Sequence, residues 1–82
     1  GQQFVFRFDN SYGLSVLEKG TGEGPKYNIA IVKFDIADDD YVIDRSTGIT
    51  NIDVQSDKDE VVLHLFNLVE NFQEQSVTLN IN

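Results

Sequence analysis

Five aspartates fall within ten positions, Asp35, Asp38, Asp39, Asp40 and Asp44, and they are the residues whose type and spacing first suggest chemistry. Hard cations such as Ca²⁺ bind several carboxylate oxygens that a turn brings together. An EF-hand loop, however, alternates its ligands and needs a glycine and a closing glutamate, which this run lacks. Three readings stay open: a turn whose like charges simply need water, a weak cation site, and a charged lobe that docks on another protein.

Other reactive groups are sparse. Cysteine is absent and His64 is the single histidine, with no serine-based nucleophile motif around it. Glu60, four residues earlier, would make an ordinary surface pair with His64 on a helix. Gly20, Gly22 and Gly24 invite comparison with a phosphate loop. Such loops present amides from a helix N-terminus directly behind them, whereas here Pro25 and Lys26 lead into an extended pattern and no Gly-Lys-Ser/Thr follows. This stretch reads as a flexible connection, or as one that orders on a partner. No catalytic residue, metal ligand set or cofactor fingerprint emerges, so the expectation is a protein that is not an enzyme and carries no cofactor.

The elements that must position these groups follow from periodicity. Phe4, Phe6 and Phe8 alternate with Val5, Arg7 and Asp9, predicting a strand over 3–9 with a buried aromatic face. Turn-tolerant Asn10 to Gly13 follows, and an extended pattern over 14–19 completes a hairpin. Residues 27–36 are apolar on both parities at Ile29 to Val32, as suits a central strand covered on both sides. Ala37 to Asp40 is a charged turn before a short returning strand over 41–44. Between Arg45 and Gln55 the pattern loosens into an irregular segment, with Ile49, Ile52 and Val54 holding it to the core. Ser56 or Asp57 opens the one strong helix, where Asp57, Asp59 and Glu60 suit the positive N-terminus. At 100° per residue Val61, Val62, Leu65, Phe66, Leu68, Val69 and Phe72 share a face, leaving Leu63 apolar on the polar side, either incidental or an interface contact. Val77, Leu79 and Ile81 alternate as a last short strand. The fold class is therefore α+β: a small antiparallel β-meander of four to five strands with one amphipathic helix packed across it, in a single domain over 1–82.

Length and charge limit the function. At 82 residues the chain can build one core, and six Phe and three Tyr, each removing roughly 150–250 Å² from water when buried, supply much of it. Without cysteine, neither disulfides nor thiolate metal sites contribute. The longest apolar run, Ile29 to Val32, is far short of the roughly 18 residues that span a bilayer. The net charge of −8 opposes direct binding to nucleic acid or anionic lipid and favours a protein partner with a basic surface. These features predict a cytoplasmic protein.

Phe8 to Val16, Tyr27 to Val32, and Asp53 to Ser56 running into Asp59 to Val62 resemble a group of small phage-encoded proteins. That group has an NGYGxSV hairpin, a YEVAV strand and a TxEEV helix. Ser11 stands where the hairpin motif has glycine, and the Val77 to Ile81 strand is an addition. The resemblance implies a compact meander plus helix and a role in handling the host, by binding and modulating or inhibiting a host or defence protein. It brings no reaction and no catalytic residues. Combined with the charge, it suggests a binding module whose carboxylates at Asp35, Asp38, Asp39, Asp40 and Asp44 stand in for nucleic-acid phosphates. Two alternatives remain: a self-associating accessory protein that pairs through Val77 to Ile81 or the Leu63 side of the helix, and a small-ligand binder with the glycine loop as a lid.

Overall fold

The computed structural model describes residues 1–20, 22, 24–35, 37 and 40–74. Ile36, Asp38, Asp39 and the expected Val77 to Ile81 strand lie outside the described residues. The elements are β1 (Gln2–Arg7), β2 (Tyr12–Glu18), β3 (Tyr27–Phe34), β4 (Tyr41–Ile43), β5 (Val54–Ser56) and α1 (Asp59–Glu70). All strand pairs are antiparallel, in the order β1-β2-β3-β4 with β5 also on β3, and α1 packs across the sheet. This is the α+β meander that the periodicities predict.

The first hairpin is built by a type I turn. Ser11 N–H donates to the Phe8 carbonyl (3.2 Å), Phe8 N–H donates to the Tyr12 carbonyl (2.8 Å), and Ser11 takes the left-handed conformation at φ 72°. A three-residue hairpin loop of this kind ends in a bulge residue that glycine occupies most easily. A side chain at positive φ costs about 1–2 kcal/mol, partly offset by the chain entropy that glycine loses on folding. Ser11→Gly is therefore expected to leave the fold intact and raise stability by up to about 1 kcal/mol. A lower denaturation midpoint for the variant would contradict that reading of the turn.

Period 2 sorts the sheet into two faces. Tyr12, Leu14, Val16, Ile29 and Ile31 meet Leu65 and Val69 of α1 in the buried core. Ser15, Ala30, Val32 and Phe34 are buried on the other face, where the Tyr41 ring lies 5.3 Å from that of Phe34. Ile29 to Val32 are thus buried on both parities, as a central strand requires.

Five expectations need correction. Phe4 and Phe6 are 42% and 38% exposed, because β1 is the edge strand, and on α1 the Phe66 ring lies edge-on to Phe6 and Phe8 at 5.3 and 4.7 Å. Val54 and Gln55, read as the end of an irregular segment, and Ser56, read as a helix start, form β5. Ile52 is 67% exposed, so only Ile49 and Val54 of that segment pack on the core. The helix starts at Asp59 after an uncapped Lys58, because Ser56 ends β5 and accepts from Lys58 N–H, while Asp57 accepts from Lys26 N–H. Leu68, at the flank of the apolar stripe, is 39% exposed.

Candidate interaction edge

β2 pairs with β3 over the whole of Tyr27 to Lys33, so β4 and β5 share the remaining side of β3. Tyr41 to Ile43 pair with Phe34 to Val32, and Val54 to Ser56 with Ile29 to Tyr27. Both strands run the same way. They are two halves of one edge strand, parted by the 44–53 excursion, whose return uses Gly48 at φ 83°.

This arrangement strings aspartates along the edge. Asp35 N–H donates to the Asp40 carbonyl (2.8 Å) and brings these two residues together. Their carboxylates receive Ala37 N–H (2.9 Å) and Tyr41 N–H (3.0 Å), so each also stabilises its own turn. Asp44 follows, its N–H on the Ile31 carbonyl (2.8 Å). Its Oδ1 accepts from Ser46 Oγ (2.6 Å) and Ser46 N–H (2.7 Å), and the Ser46 hydroxyl, more than any other group, holds the carboxyl below its ordinary pKa. Asp53, just before β5, pairs with Arg45 at 3.1 Å. Asp57, just after β5, accepts from Lys26 N–H at 2.8 Å, and Asp59 beyond it accepts from the Tyr27 hydroxyl with Lys26 Nζ 3.9 Å away.

Of the residues singled out in the sequence, the structure brings together Asp35 and Asp40 at the head of this edge and places Asp44 further along it. Asp38 and Asp39 lie outside the described residues. Leu63 lies on α1 and is 67% exposed. Asp53 and Asp57 join the edge unforeseen. Only the pairing of β5 with β3 reveals this, and three residues of strand carry no readable period.

Asp35, Asp40, Asp44, Asp53 and Asp57 span the nine residue steps from Asp35 to Lys26 along β3 and its two flanking residues, about 30 Å at 3.3 Å per residue. With Arg45 subtracted, that is roughly one net negative charge per 8 Å, whereas duplex DNA carries one per about 1.7 Å. The described acids therefore make a line much sparser in charge than duplex DNA, with Asp35 beside Asp40 at one end, Asp44 and Asp53 near neighbouring β3 positions, and Asp57 at the other end. No three acids or histidines among the described residues come close enough to hold a metal ion. Asp35 and Asp40 also line an open hollow of 660 Å³ with Lys33, Tyr41 and Glu74, and Lys33 Nζ is 3.5 Å from Glu74.

The chain matches no family model, no curated protein and no solved structure. The edge itself must therefore carry the functional reading. By contrast, the β1 edge on the far side of the sheet carries no acid from Gln2 to Phe8.

Proposed function

We propose that this protein is a non-enzymatic binding module that lays its β4–β5 edge against a basic surface of another protein. The observation that carries the proposal is the alignment of Asp35, Asp40, Asp44, Asp53 and Asp57 along one side of β3, away from the acid-free β1 edge. Each carboxylate is fixed by a hydrogen bond or ion pair, so little side-chain entropy is lost on docking. The charge spacing favours a protein surface with dispersed Lys and Arg over a site shaped for duplex DNA. Occlusion of a nucleic-acid-binding surface belongs to this reading where the occluded surface is itself sparsely charged. A host or defence protein is the partner that the resemblance to small phage-encoded proteins would imply.

The test uses the tagged protein beside an Asp40→Asn, Asp44→Asn, Asp53→Asn, Asp57→Asn variant. Asparagine keeps an Oδ1 to accept the Tyr41, Ser46 and Lys26 donors, and the lost Arg45 pair is exposed and worth at most about 1 kcal/mol, so the fold should survive. A protein captured from host lysate by the wild type, released at high salt and not captured by the variant is the expected result. Equal capture by both would remove the proposal.

A further inference from the structure

A second surface, at the far side of the sheet from the acidic edge, lies between α1 and β1. A helix with its side chains is about 10 Å across and strands lie about 4.8 Å apart, so one helix covers two strands. α1 packs over β2 and β3, and Ile49 and Val54 pack against the same core on the β4–β5 side. The β1 flank is left open. Phe4 and Phe6 lie on the helix side of β1 and stay 42% and 38% exposed, even though Phe66 meets Phe6 edge-on at 5.3 Å. Arg7 belongs to the opposite face, where its guanidinium lies over the Phe34 ring.

The wall of this flank is one row of α1. At 100° per residue Asp59, Leu63, Phe66 and Glu70 fall within about 60° of one another, and the contacts of Phe66 with Phe6 and Phe8 show that the row faces β1. Leu63 in this row is 67% exposed. Phe4, Phe6, Phe66 and Leu63 therefore form an apolar strip between strand and helix. Acids stand at both ends of its helical wall, about 16 Å apart at 1.5 Å per residue. α1 contains Asp59, Glu60 and Glu70 and no lysine or arginine. Asp59 already has Lys26 at 3.9 Å, whereas Glu70 lies at the negative end of the helix with no base in the final turn.

We propose that this strip receives an amphipathic helix of a partner protein, laid beside α1 and over β1, with apolar residues at helical spacing and lysine or arginine at its ends. A second helix packs about 8–10 Å from the first, roughly two strand spacings, which sets it above β1. Its apolar side chains meet Phe4, Phe6, Phe66 and Leu63, as anchors at i, i+3, i+4 and i+7 do in a helix groove. Its bases meet Glu70 and the acidic first turn of α1. Charge argues against a second copy as the occupant, because α1 against α1 sets acids against acids with no base between them.

The probe is a peptide of about 14 residues with leucine at i, i+3, i+4 and i+7 and lysine elsewhere. Its control has the same composition in an order that breaks the helical spacing. The first peptide is expected to become helical on binding and to move the amide NMR signals of Phe4, Phe6, Leu63 and Glu70, while the control binds at least tenfold more weakly. Leu63→Ser and Phe4→Thr change exposed side chains, and threonine is a good strand former. Phe8 N–H donates to Tyr12 and every second residue repeats that state, so Phe4 and Phe6 keep their bonds to β2 in either variant. Both variants should retain the wild-type circular dichroism and bind the first peptide several-fold more weakly. The proposal is overturned if the first peptide does not bind, if both peptides bind equally, or if neither variant weakens binding. Shifts confined to β4 and β5 would also overturn it and assign the peptide to the acidic edge. So would a mass that rises with concentration from 9.3 kDa in light scattering and stays at one chain in Leu63→Ser, which would give the flank to a second copy. Because the two surfaces sit on opposite sides of the sheet, failure here leaves the acidic-edge reading to its own test.

Discussion

Gly13→Ala is expected to detach β1 from the sheet and lower stability by at least about 3 kcal/mol. Gly13 is buried in β2, opposite Arg7, and a Cβ built there would lie 1.9 Å from the Phe6 carbonyl oxygen and 2.9 Å from Phe34 Cε2. The Phe34 ring could turn aside, but the Phe6 oxygen is backbone and can withdraw only if β1 moves. With β1 go the Phe6 and Phe8 contacts to Phe66, which hold that flank of α1 to the sheet. A domain of this length has roughly 4–12 kcal/mol of stability in all, so the variant is left marginal or unfolded at 37 °C. Thermal denaturation with amide exchange at Phe4 and Phe6 checks it. An unchanged melting temperature, with those amides still protected, would show that the close approach is not what the geometry makes it.

Asn10→Ala is expected to cost about 2 kcal/mol, a fall in melting temperature on the order of 10 °C. A helix leaves its last carbonyls without partners, and α1 has no basic residue in its final turn to compensate. Asn10 supplies the missing donor from the hairpin. Its Nδ2 donates to the carbonyls of Val69 and Phe72, both at 2.8 Å, while its Oδ1 accepts Tyr12 N–H at 3.0 Å. One side chain thus ties the turn that sets the β1–β2 register to the end of the helix that covers it. Asn10→Asp separates the two roles: it keeps the acceptor for Tyr12 but sets a carboxylate against the negative end of the helix. It should melt at or below the temperature of the alanine variant. If Asn10→Asp instead retains wild-type stability, the helix tie contributes nothing.

These cases show how much the sequence alone reveals. The β1–β2 hairpin, β3 and the helix are legible because their alternation or 3.6-residue period runs long enough to be distinguished. The lateral position of a strand is not in its period. Phe4 and Phe6 alternate as a buried face would, and only the strand order leaves them at an edge. Ser56 and Asp57 look like a helix start, but β5 and the Lys26 amide claim them first, a tertiary demand that a local signal cannot register. The same blindness hid half of the candidate edge. Asp35, Asp40 and Asp44 stand out by their density in the sequence, whereas Asp53 and Asp57 become their neighbours only because a three-residue strand continues the line of β4.

The affinity of the captured partner as a function of salt tests the acidic edge most directly. Wild-type binding should weaken on the order of tenfold or more as ionic strength rises through the physiological range. The Asp40→Asn, Asp44→Asn, Asp53→Asn, Asp57→Asn variant should bind more weakly and with a much flatter dependence. A variant that binds as tightly as the wild type, with the same salt dependence, would contradict the assignment of the β4–β5 edge as the binding surface.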